Sequence, residues 1–292
     1  SKPSTWETYN KLCKQSGIDV LIWDWYWYDG KPCLHEALEN GFLEASNTKD
    51  VKFACMWTNH PWYVLYPTKR TDGSNAYPPN TNHRLIINSP IILQMAIAGV
   101  KQLFAELTDY AKKLGHKGLH FHVTGFSCGN MKEEGYDTVG SYNPMDWIAG
   151  RFQPKEIELP DYGTVAADVA FKLWDEHHGQ FDIPYVPAVA PGWDSTPRYI
   201  APANRPAKAD RSQWPGCTIF KNENPASFKA FVQSSFVYLN KHPEVPRILT
   251  IACFNEWSEG HYLLPDNRFG YGMLDALGEA LGKEGNHEKH GK

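Results

Sequence analysis

Short apolar runs alternate with longer segments of mixed polarity along the chain. Runs rich in β-branched and aromatic residues are typical of strands, and apolar positions that recur every three or four residues are typical of helices. The pattern predicts strands at 18–25, 51–57, 118–125, 136–143, 217–220 and 248–257, and a segment over 183–193 that begins as a strand and ends in a loop. It predicts helices at 4–16, 34–46, 90–114, 163–178, 226–241 and 272–282. The predicted strands are apolar over most of their length, as expected for a sheet covered on both faces.

This alternation of strands and helices indicates an α/β protein with a parallel sheet. A chain of 292 residues is long enough for a (β/α)8 barrel of the TIM type. Such a barrel starts with a strand and has eight of them, whereas this sequence starts with a helix and contains about seven. Either one strand escapes the pattern or the first strand is absent from this chain. We expect a single barrel domain over 1–282 and a flexible tail over 283–292.

The composition disfavours several classes of function. The chain carries 29 basic and 33 acidic side chains, a net charge of −4, which disfavours nucleic-acid binding. No apolar run reaches the ~18 residues that a membrane-spanning helix needs. Aromatic residues make up 14 % of the chain, and many of the 11 Trp lie beside polar residues, which suggests a ligand-binding surface. The chain begins at Ser1, as expected of a processed or truncated product. Its location stays open, with the periplasm or the extracellular space favoured.

Aromatic and polar side chains occur together where the predicted strands end. In a (β/α)8 barrel the reactive residues lie at the carboxyl ends of the strands. Sugars offer C–H faces to aromatic rings and hydroxyl groups to polar side chains, so we expect a carbohydrate ligand. The candidate substrate-binding residues are Asp24, Trp25, Trp27, Trp57, Asn59, His60, His122, Tyr142, Trp193, Asp194, Asn255, Trp257 and His261.

The most specific motif is Phe-Asn-Glu-Trp-Ser-Glu-Gly at 254–260, which holds Glu256 and Glu259. In an extended strand their carboxylates would lie roughly 10 Å apart along the chain and on opposite faces. A turn after Trp257 would let both point into one pocket. Glycoside hydrolysis uses such a pair, one carboxyl group protonating the departing oxygen and the other acting as base or nucleophile. The alternative is two surface glutamates that flank a core tryptophan.

His120 and His122 share one face of a predicted strand, because alternate residues of a strand point the same way. Two imidazoles placed in this way could bind one metal ion, so a metal-dependent hydrolase is an alternative. That site needs further ligands, and the sequence has no histidine-rich partner motif. Packing of both rings against polar groups inside the barrel is the simpler interpretation, and no metal ion or cofactor is predicted.

Four sequence blocks resemble the glycoside hydrolase family 99-like domains, including their relatives described as glycosyltransferase-like proteins of polysaccharide biosynthesis. The blocks cover residues 17–32, 51–62, 190–198 and 253–266. The resemblance implies a (β/α)8 barrel that acts on glycans without a metal ion in the chemical step. It also implies that Glu256 is the base that deprotonates the sugar 2-hydroxyl group, which then forms a 1,2-anhydro intermediate. By the same resemblance Glu259 is the acid that protonates the leaving oxygen and then activates water.

The first functional hypothesis is therefore a retaining glycoside hydrolase with a paired-glutamate site, acting on a polysaccharide or oligosaccharide. Three alternatives stay open. They are a glycosyl-transferring enzyme of cell-surface polysaccharide biosynthesis, a barrel that binds glycans without catalysis, and a metal hydrolase built on His120 and His122.

Overall fold

The computed structural model describes residues 2–28, 31–57, 62–63, 84–85, 97–124, 130–145, 161–194 and 219–283. Its internal contacts divide the chain into two compact units. The first unit comprises Ser1–Lys14 and Ile18–Gln102, and the second comprises Gln15–Gly17 and Leu103–Lys292. Both units bury apolar side chains of their own. The single barrel domain over 1–282 stays a prediction.

The described residues contain both helices and strands. The helices are α1 Pro3–Ser16, α2 Ile97–Lys113, α3 Met131–Glu134, α4 Tyr162–Gln180, α5 Pro225–Lys241 and α6 Gly272–Ala280. The strands are β1 Val20–Tyr28, β2 Lys31–Cys33, β3 Lys52–Trp57, β4 Trp62–Tyr63, β5 Arg84–Leu85, β6 His122–Thr124, β7 Thr138–Gly140, β8 Tyr185–Val186, β9 Ala188–Val189, β10 Thr250–Ile251, β11 Asn255–Glu256 and β12 His261–Tyr262. A π-helical turn at Leu38–Phe42 and 3₁₀ turns at Thr48–Asp50 and Trp257–Glu259 are also present.

The first unit is built on the parallel pair β1 and β3, with β2 antiparallel to the end of β1. Helix α1 packs on one face of this sheet through Trp6, whose ring centroid lies 4.6 Å from that of Trp23. Phe42 closes the same cluster at 5.6 Å from Trp23. Because side chains alternate along a strand, Trp23 and Trp25 share the face toward α1, and Asp24 lies on the opposite face.

The second unit carries a parallel sheet in the order β6-β7-β8, and β9 pairs in parallel with β10. Pro187 lies between β8 and β9, so one short stretch of chain supplies a strand to the β6-β7-β8 sheet and a strand to the β9–β10 pair. Proline has no N–H group to give to a strand ladder. Its carbonyl oxygen still accepts a hydrogen bond from the backbone N–H of Thr250, at 3.2 Å.

Helices α4 and α5 cover the strands of the second unit. The rings of Trp174 and Phe231 stack with centroids 5.8 Å apart. Two buried tyrosines hydrogen-bond the helices to the chain of the sheet. The hydroxyl of Tyr238 in α5 donates to the carbonyl of Tyr185 at 2.8 Å. The hydroxyl of Tyr162 in α4 donates to the carbonyl of Ala190 at 2.6 Å. These bonds satisfy the carbonyl of Tyr185 in β8 and that of Ala190 just after β9, and so tie each helix to the strands.

Most of the predicted elements are present, and the α/β class is confirmed. The helix predicted over 34–46 is confirmed only at its centre, where residues 36–42 are helical and 38–42 form a π-helical turn. Asn40 and Gly41 stand in that turn, and both are weak helix formers. The predicted strand 248–257 is two short strands, β10 and β11.

Two further predictions fall partly outside the described residues. Residue 220, in the predicted strand 217–220, is not in a strand, while residues 217–218 lie outside. The predicted helix 90–114 is described from Ile97 to Lys113, and residues 90–96 lie outside the described structure. The predicted tail also lies outside it from residue 284 onward. In the part of the chain that the structure describes, each helix is too short or too polar to cross a bilayer.

Candidate active site

The two motif glutamates lie on a tight hairpin that follows β10. Strands β11 and β12 form its arms, with Glu256 opposite His261, and the 3₁₀ turn Trp257–Glu259 forms its tip. The turn ends at Gly260, whose φ of +62° is left-handed and favours glycine. The chain therefore turns at Trp257–Glu259, between the two glutamates of the motif.

Glu259 is paired with a buried histidine. Its Oε2 lies 2.9 Å from Nε2 of His261, and the side chains of Glu259 and His261 are 14 % and 2 % exposed. The ring of Trp193 meets the His261 ring edge-on at 4.9 Å, and Trp193 is itself buried. Among the described residues Nδ1 of His261 is buried without a hydrogen-bond partner. The hydrogen bond of the ring is therefore directed to Glu259.

The chain after β9 holds the hairpin from the side. The backbone N–H of Asp194 donates to the carbonyl of Glu259 at 2.8 Å. The approach is close, because a Cβ atom placed on Gly260 would lie 2.9 Å from backbone and side-chain atoms of Asp194. Gly192 contributes in the same way, as a Cβ atom there would lie 3.2 Å from the carbonyl oxygen of Gly260. Four predicted site residues are thereby brought together, namely Trp193, Asp194, Glu259 and His261.

Glu256 caps the 3₁₀ turn with its own side chain. Its Oε1 accepts hydrogen bonds from the backbone N–H of Ser258 at 3.2 Å and from the Ser258 hydroxyl group. The carboxylate is partly buried, and the two bonds fix its orientation at the start of the turn. Glu256 therefore stabilises the turn as its N-cap residue, in addition to the catalytic role that the motif predicts for it.

Trp257 and Tyr262 form an aromatic pair beside the glutamates. Their ring centroids are 4.0 Å apart with the planes inclined by 30°, and Trp257 is 46 % exposed. The hydroxyl of Tyr262 donates to Asp266 at 2.9 Å. Burial, together with the adjacent carboxylate of Asp266, raises the pKa of Tyr262 to about 12. The exposed face of Trp257 is the kind of surface on which a sugar ring stacks.

Several residues around the hairpin were not among the predicted site residues. Asp266 accepts backbone hydrogen bonds from Arg268 and Phe269, and Arg268 pairs with Glu223. The Asp-Asn-Arg sequence at 266–268 is a turn signal that could have indicated Asp266. No local pattern marks Glu223, because it reaches Arg268 only through the fold.

His120 and His122 meet at one hydroxyl group. Nε2 of His120 and Nδ1 of His122 lie 2.7 and 2.8 Å from Oγ1 of Thr138. Burial, reinforced by the neighbouring His120, lowers the pKa of His122 to about 4. Within the described ranges, the group of three side chains with metal-binding geometry does not include this pair. The prediction that the two rings share a face is confirmed, and both rings bond to a polar group.

The remaining predicted residues lie elsewhere or outside the described structure. In the first unit Trp25 is opposite Trp57 in the β1–β3 register, with ring centroids 5.7 Å apart, and Asp24 accepts a hydrogen bond from the Tyr26 hydroxyl at 3.2 Å. In the second unit Tyr142 follows β7 and is 52 % exposed, and Asn255 is exposed on β11. Trp27 lies in β1, whereas Asn59 and His60 lie outside the described residues.

Comparison with solved structures identifies the fold. Two structures of the glycoside hydrolase family 99 endo-α-mannosidase from Bacteroides thetaiotaomicron, one in complex with bis-tris propane, match with a TM-score of 0.50. Both matches cover 96 % of this chain, and they cover 83 % and 79 % of the neighbours at 13 % and 14 % identity. The chain thus has a fold like that of family 99, as its sequence blocks predict.

The sequence relatives define the family. The model of the family Glycosyltransferase WbsX matches residues 1–75 and 91–277, and the chain belongs to this family. The Uncharacterized protein WxcX from two strains of Xanthomonas campestris pv. campestris is 23 % identical over 308 residues. The match covers 96 % of this chain and 41 % of the relatives, so the chain spans less than half of their length.

Replacing Gly260 with alanine should destabilise the protein for two reasons, the left-handed backbone at this position and the close approach of Asp194. Gly260→Ala adds a collision with Asp194, and we expect a loss of about 2–4 kcal/mol in the free energy of unfolding. Gly270 is the control, because its φ is +56° and a Cβ atom there would meet nothing within 4 Å. Gly270→Ala should cost about 1 kcal/mol. Equal losses in urea titrations of the two variants would contradict the close approach.

The low pKa of His122 predicts a loss of stability in acid. The unfolded chain binds a proton on this ring near pH 6.5, whereas the folded ring stays neutral down to about pH 4. The contribution of His122 is therefore complete above pH 6.5 and falls by up to about 3 kcal/mol as the pH drops to 4. His122→Gln should flatten this part of the stability curve, and replacing the exposed His116 should not. An NMR titration that places His122 near pH 6.5 would refute the prediction.

Proposed function

We propose that the chain forms a (β/α)8 barrel and acts as a retaining glycoside hydrolase on a polysaccharide or oligosaccharide. The observation that carries the proposal is the Glu259–His261 pair, 2.9 Å apart, on the hairpin that directly follows β10. The similarity in fold to the family 99 enzymes supports the same assignment. The finer assignments below extend the resemblance of the 253–266 block to that family.

Glu259 is proposed as the general acid. With a proton on Nε2, His261 donates to Oε2 of Glu259, and the carboxyl proton for the leaving oxygen then resides on Oε1. The hydrogen bond from Asp194 fixes the backbone of Glu259, and Trp193 supports the His261 ring. These contacts hold the acid in one orientation, which general acid catalysis requires. Trp193 and His261 thus act behind Glu259, because both are buried.

Glu256 is proposed as the base. It takes the proton of the sugar 2-hydroxyl group, whose oxygen attacks the anomeric carbon while the bond to the leaving oxygen breaks. Glu259 protonates that leaving oxygen, then deprotonates a water that attacks the anomeric carbon and opens the 1,2-anhydro ring. The 2-oxygen takes its proton back from Glu256, and the two inversions give net retention. The bonds from Ser258 orient the Glu256 carboxylate for this task.

The exposed ring of Trp257 is proposed to stack against a sugar next to the cleaved bond. Asn255 and Tyr142 are exposed polar groups suited to sugar hydroxyls. The assignments of Asp24, Trp25, Trp27, Trp57, Asn59, His60, His122 and Asp194 to substrate binding stay predictions.

Replacing either glutamate with glutamine should abolish turnover and leave the fold intact. Glu259→Gln removes the acid and Glu256→Gln removes the base, and each change should slow saccharide release by about 100-fold or more. Wild type and variants are incubated with mannose-, xylose-, galactose- and rhamnose-containing polysaccharides, and products are measured by mass spectrometry. Glu279→Gln is the control, because that exposed carboxylate pairs with Lys229 on the surface.

Saccharide release by Glu259→Gln at the wild-type rate would refute the acid assignment. Binding of an oligosaccharide by wild type and by the double Glu256→Gln, Glu259→Gln variant with equal affinity, and without turnover in either, would favour a glycan-binding barrel.

His261 should act as a positioning residue for Glu259. His261→Phe keeps a ring in the buried site but loses the hydrogen bond to the carboxylate, and should lower kcat about 10- to 100-fold with KM nearly unchanged. His261→Gln places an amide where Nε2 lies and should restore part of kcat. A merely structural role would lower the unfolding midpoint of both variants and leave kcat per folded molecule unchanged.

Glycosyl transfer is the second candidate, favoured by the description of the family as Glycosyltransferase WbsX. That reaction needs an activated sugar donor, and the sequence has no glycine-rich loop of the kind that cradles phosphates. Incubation with nucleotide sugars and an acceptor glycan separates the two candidates. A new glycosidic bond formed without hydrolysis of the acceptor would identify a transferase.

A further inference from the structure

A cluster of two histidines and one glutamate lies in the second unit, away from the hairpin in sequence. In the part of the chain that the structure describes, His178, His242 and Glu244 form one group whose ligand atoms all lie within 4.8 Å of one another. Nε2 of His178 is 2.9 Å from Oε1 of Glu244, and Nδ1 of His242 is 3.4 Å from the same oxygen. The three side chains are called the histidine cluster below.

The packing of α4 against α5 sets this geometry. His178 lies in the last turn of α4, and His242 is the capping residue that directly follows α5. Their rings are 4.1 Å apart, and Tyr238 packs against the His242 ring at 4.8 Å. Glu244 follows two residues later and brings its carboxylate back toward both rings. The site is therefore assembled from two helices that the core already holds together.

A carboxylate orients His242. Oδ1 of Asp175 lies 2.7 Å from Nε2 of His242, and Lys241 pairs with the other oxygen of Asp175. An imidazole that donates from Nε2 presents a lone pair on Nδ1, the atom that faces Glu244. Histidines that bind metal ions characteristically donate their second ring N–H group to a carboxylate in this way.

We propose that the histidine cluster binds one divalent transition-metal ion, with Zn²⁺ as the first candidate. Nε2 of His178, Nδ1 of His242 and Oε1 of Glu244 supply two imidazole nitrogens and one carboxylate oxygen, a set that zinc takes with water as its fourth ligand. Glu244 is 53 % exposed, whereas the His178 and His242 side chains are 22 % and 15 % exposed. A metal ion could therefore enter from solvent on the side of Glu244 and bind to the two more buried histidine rings.

The ion would act on structure and not on the glycan reaction. In chain order His242 and Glu244 precede β10, whereas Glu256 and Glu259 follow it, so the two groups lie at opposite ends of that strand. An ion shared by α4 and α5 links the end of one helix to the segment that follows the other. Binding to the folded state alone raises the unfolding temperature, and the stabilisation grows with the logarithm of the ratio of ion concentration to dissociation constant.

The test is a Zn²⁺ titration of the untagged chain, followed by isothermal calorimetry and by thermal unfolding. Wild type should bind one ion at this site and unfold several degrees higher with Zn²⁺ than with a chelator. Glu244→Gln, which changes an exposed side chain by one atom, should weaken binding at least tenfold and remove most of the thermal shift. Asp175→Asn, which leaves the three ligands in place, should weaken it 10- to 100-fold.

His35→Ala is the matched control. His35 pairs with Glu39 at 3.7 Å on the surface of the first unit, and this histidine–glutamate pair is not part of the histidine cluster. Its loss should leave Zn²⁺ binding and the thermal shift unchanged. Equal Zn²⁺ binding by wild type and Glu244→Gln would overturn the proposal. The absence of a thermal shift of the wild type at about 100 µM Zn²⁺ would also overturn it, because the histidine cluster would then be an ordinary ion-pair network.

Discussion

The candidate site depends on the close approach of two backbones, at Asp194 and at Gly260. The hydrogen bond from Asp194 to the Glu259 carbonyl forms only because Gly260 has no side chain at the point of contact. This contact ties the chain after β9 to the hairpin after β10. Without it the carboxylate of Glu259 would depend on the hairpin alone, which is too short to be rigid by itself.

Charge and burial then shape the site around that contact. Glu259 is largely shielded from solvent but paired with His261, so the cost of taking a carboxylate out of water is offset by a hydrogen bond to the ring. Glu256 obtains the same kind of compensation from Ser258. The two glutamates therefore lie in different surroundings, one against a buried imidazole and aromatic ring and one at the start of a turn. Different surroundings are what two carboxyl groups need to take different roles.

Much of the fold could be predicted from the sequence, because apolar strands and amphipathic helices leave a periodic pattern. The grouping of Trp193 with Glu259 could also be predicted, because the carboxyl ends of neighbouring parallel strands lie close together. The hydrogen bond between His261 and Glu259 could not be predicted, because nothing in the local sequence distinguishes a ring that faces a ligand from one that bonds to a carboxylate. The pairing of Glu223 with Arg268 depends on contacts between distant segments, which leave no local pattern. The helix predicted over 34–46 is shorter than expected, because its amphipathic pattern contains Asn40 and Gly41, which are weak helix formers.

The hydrogen bond of the Tyr162 hydroxyl limits which residues can replace Tyr162. It holds the carbonyl of Ala190 at the point where the chain leaves β9 and turns toward Trp193 and Asp194. Helix α4 is thus hydrogen-bonded to the segment that supports the hairpin of Glu256 and Glu259. A phenylalanine at this position would fit the space, yet would leave a buried carbonyl without its donor. The first residue of α4 is therefore constrained by a hydrogen bond to the chain that supports the candidate site.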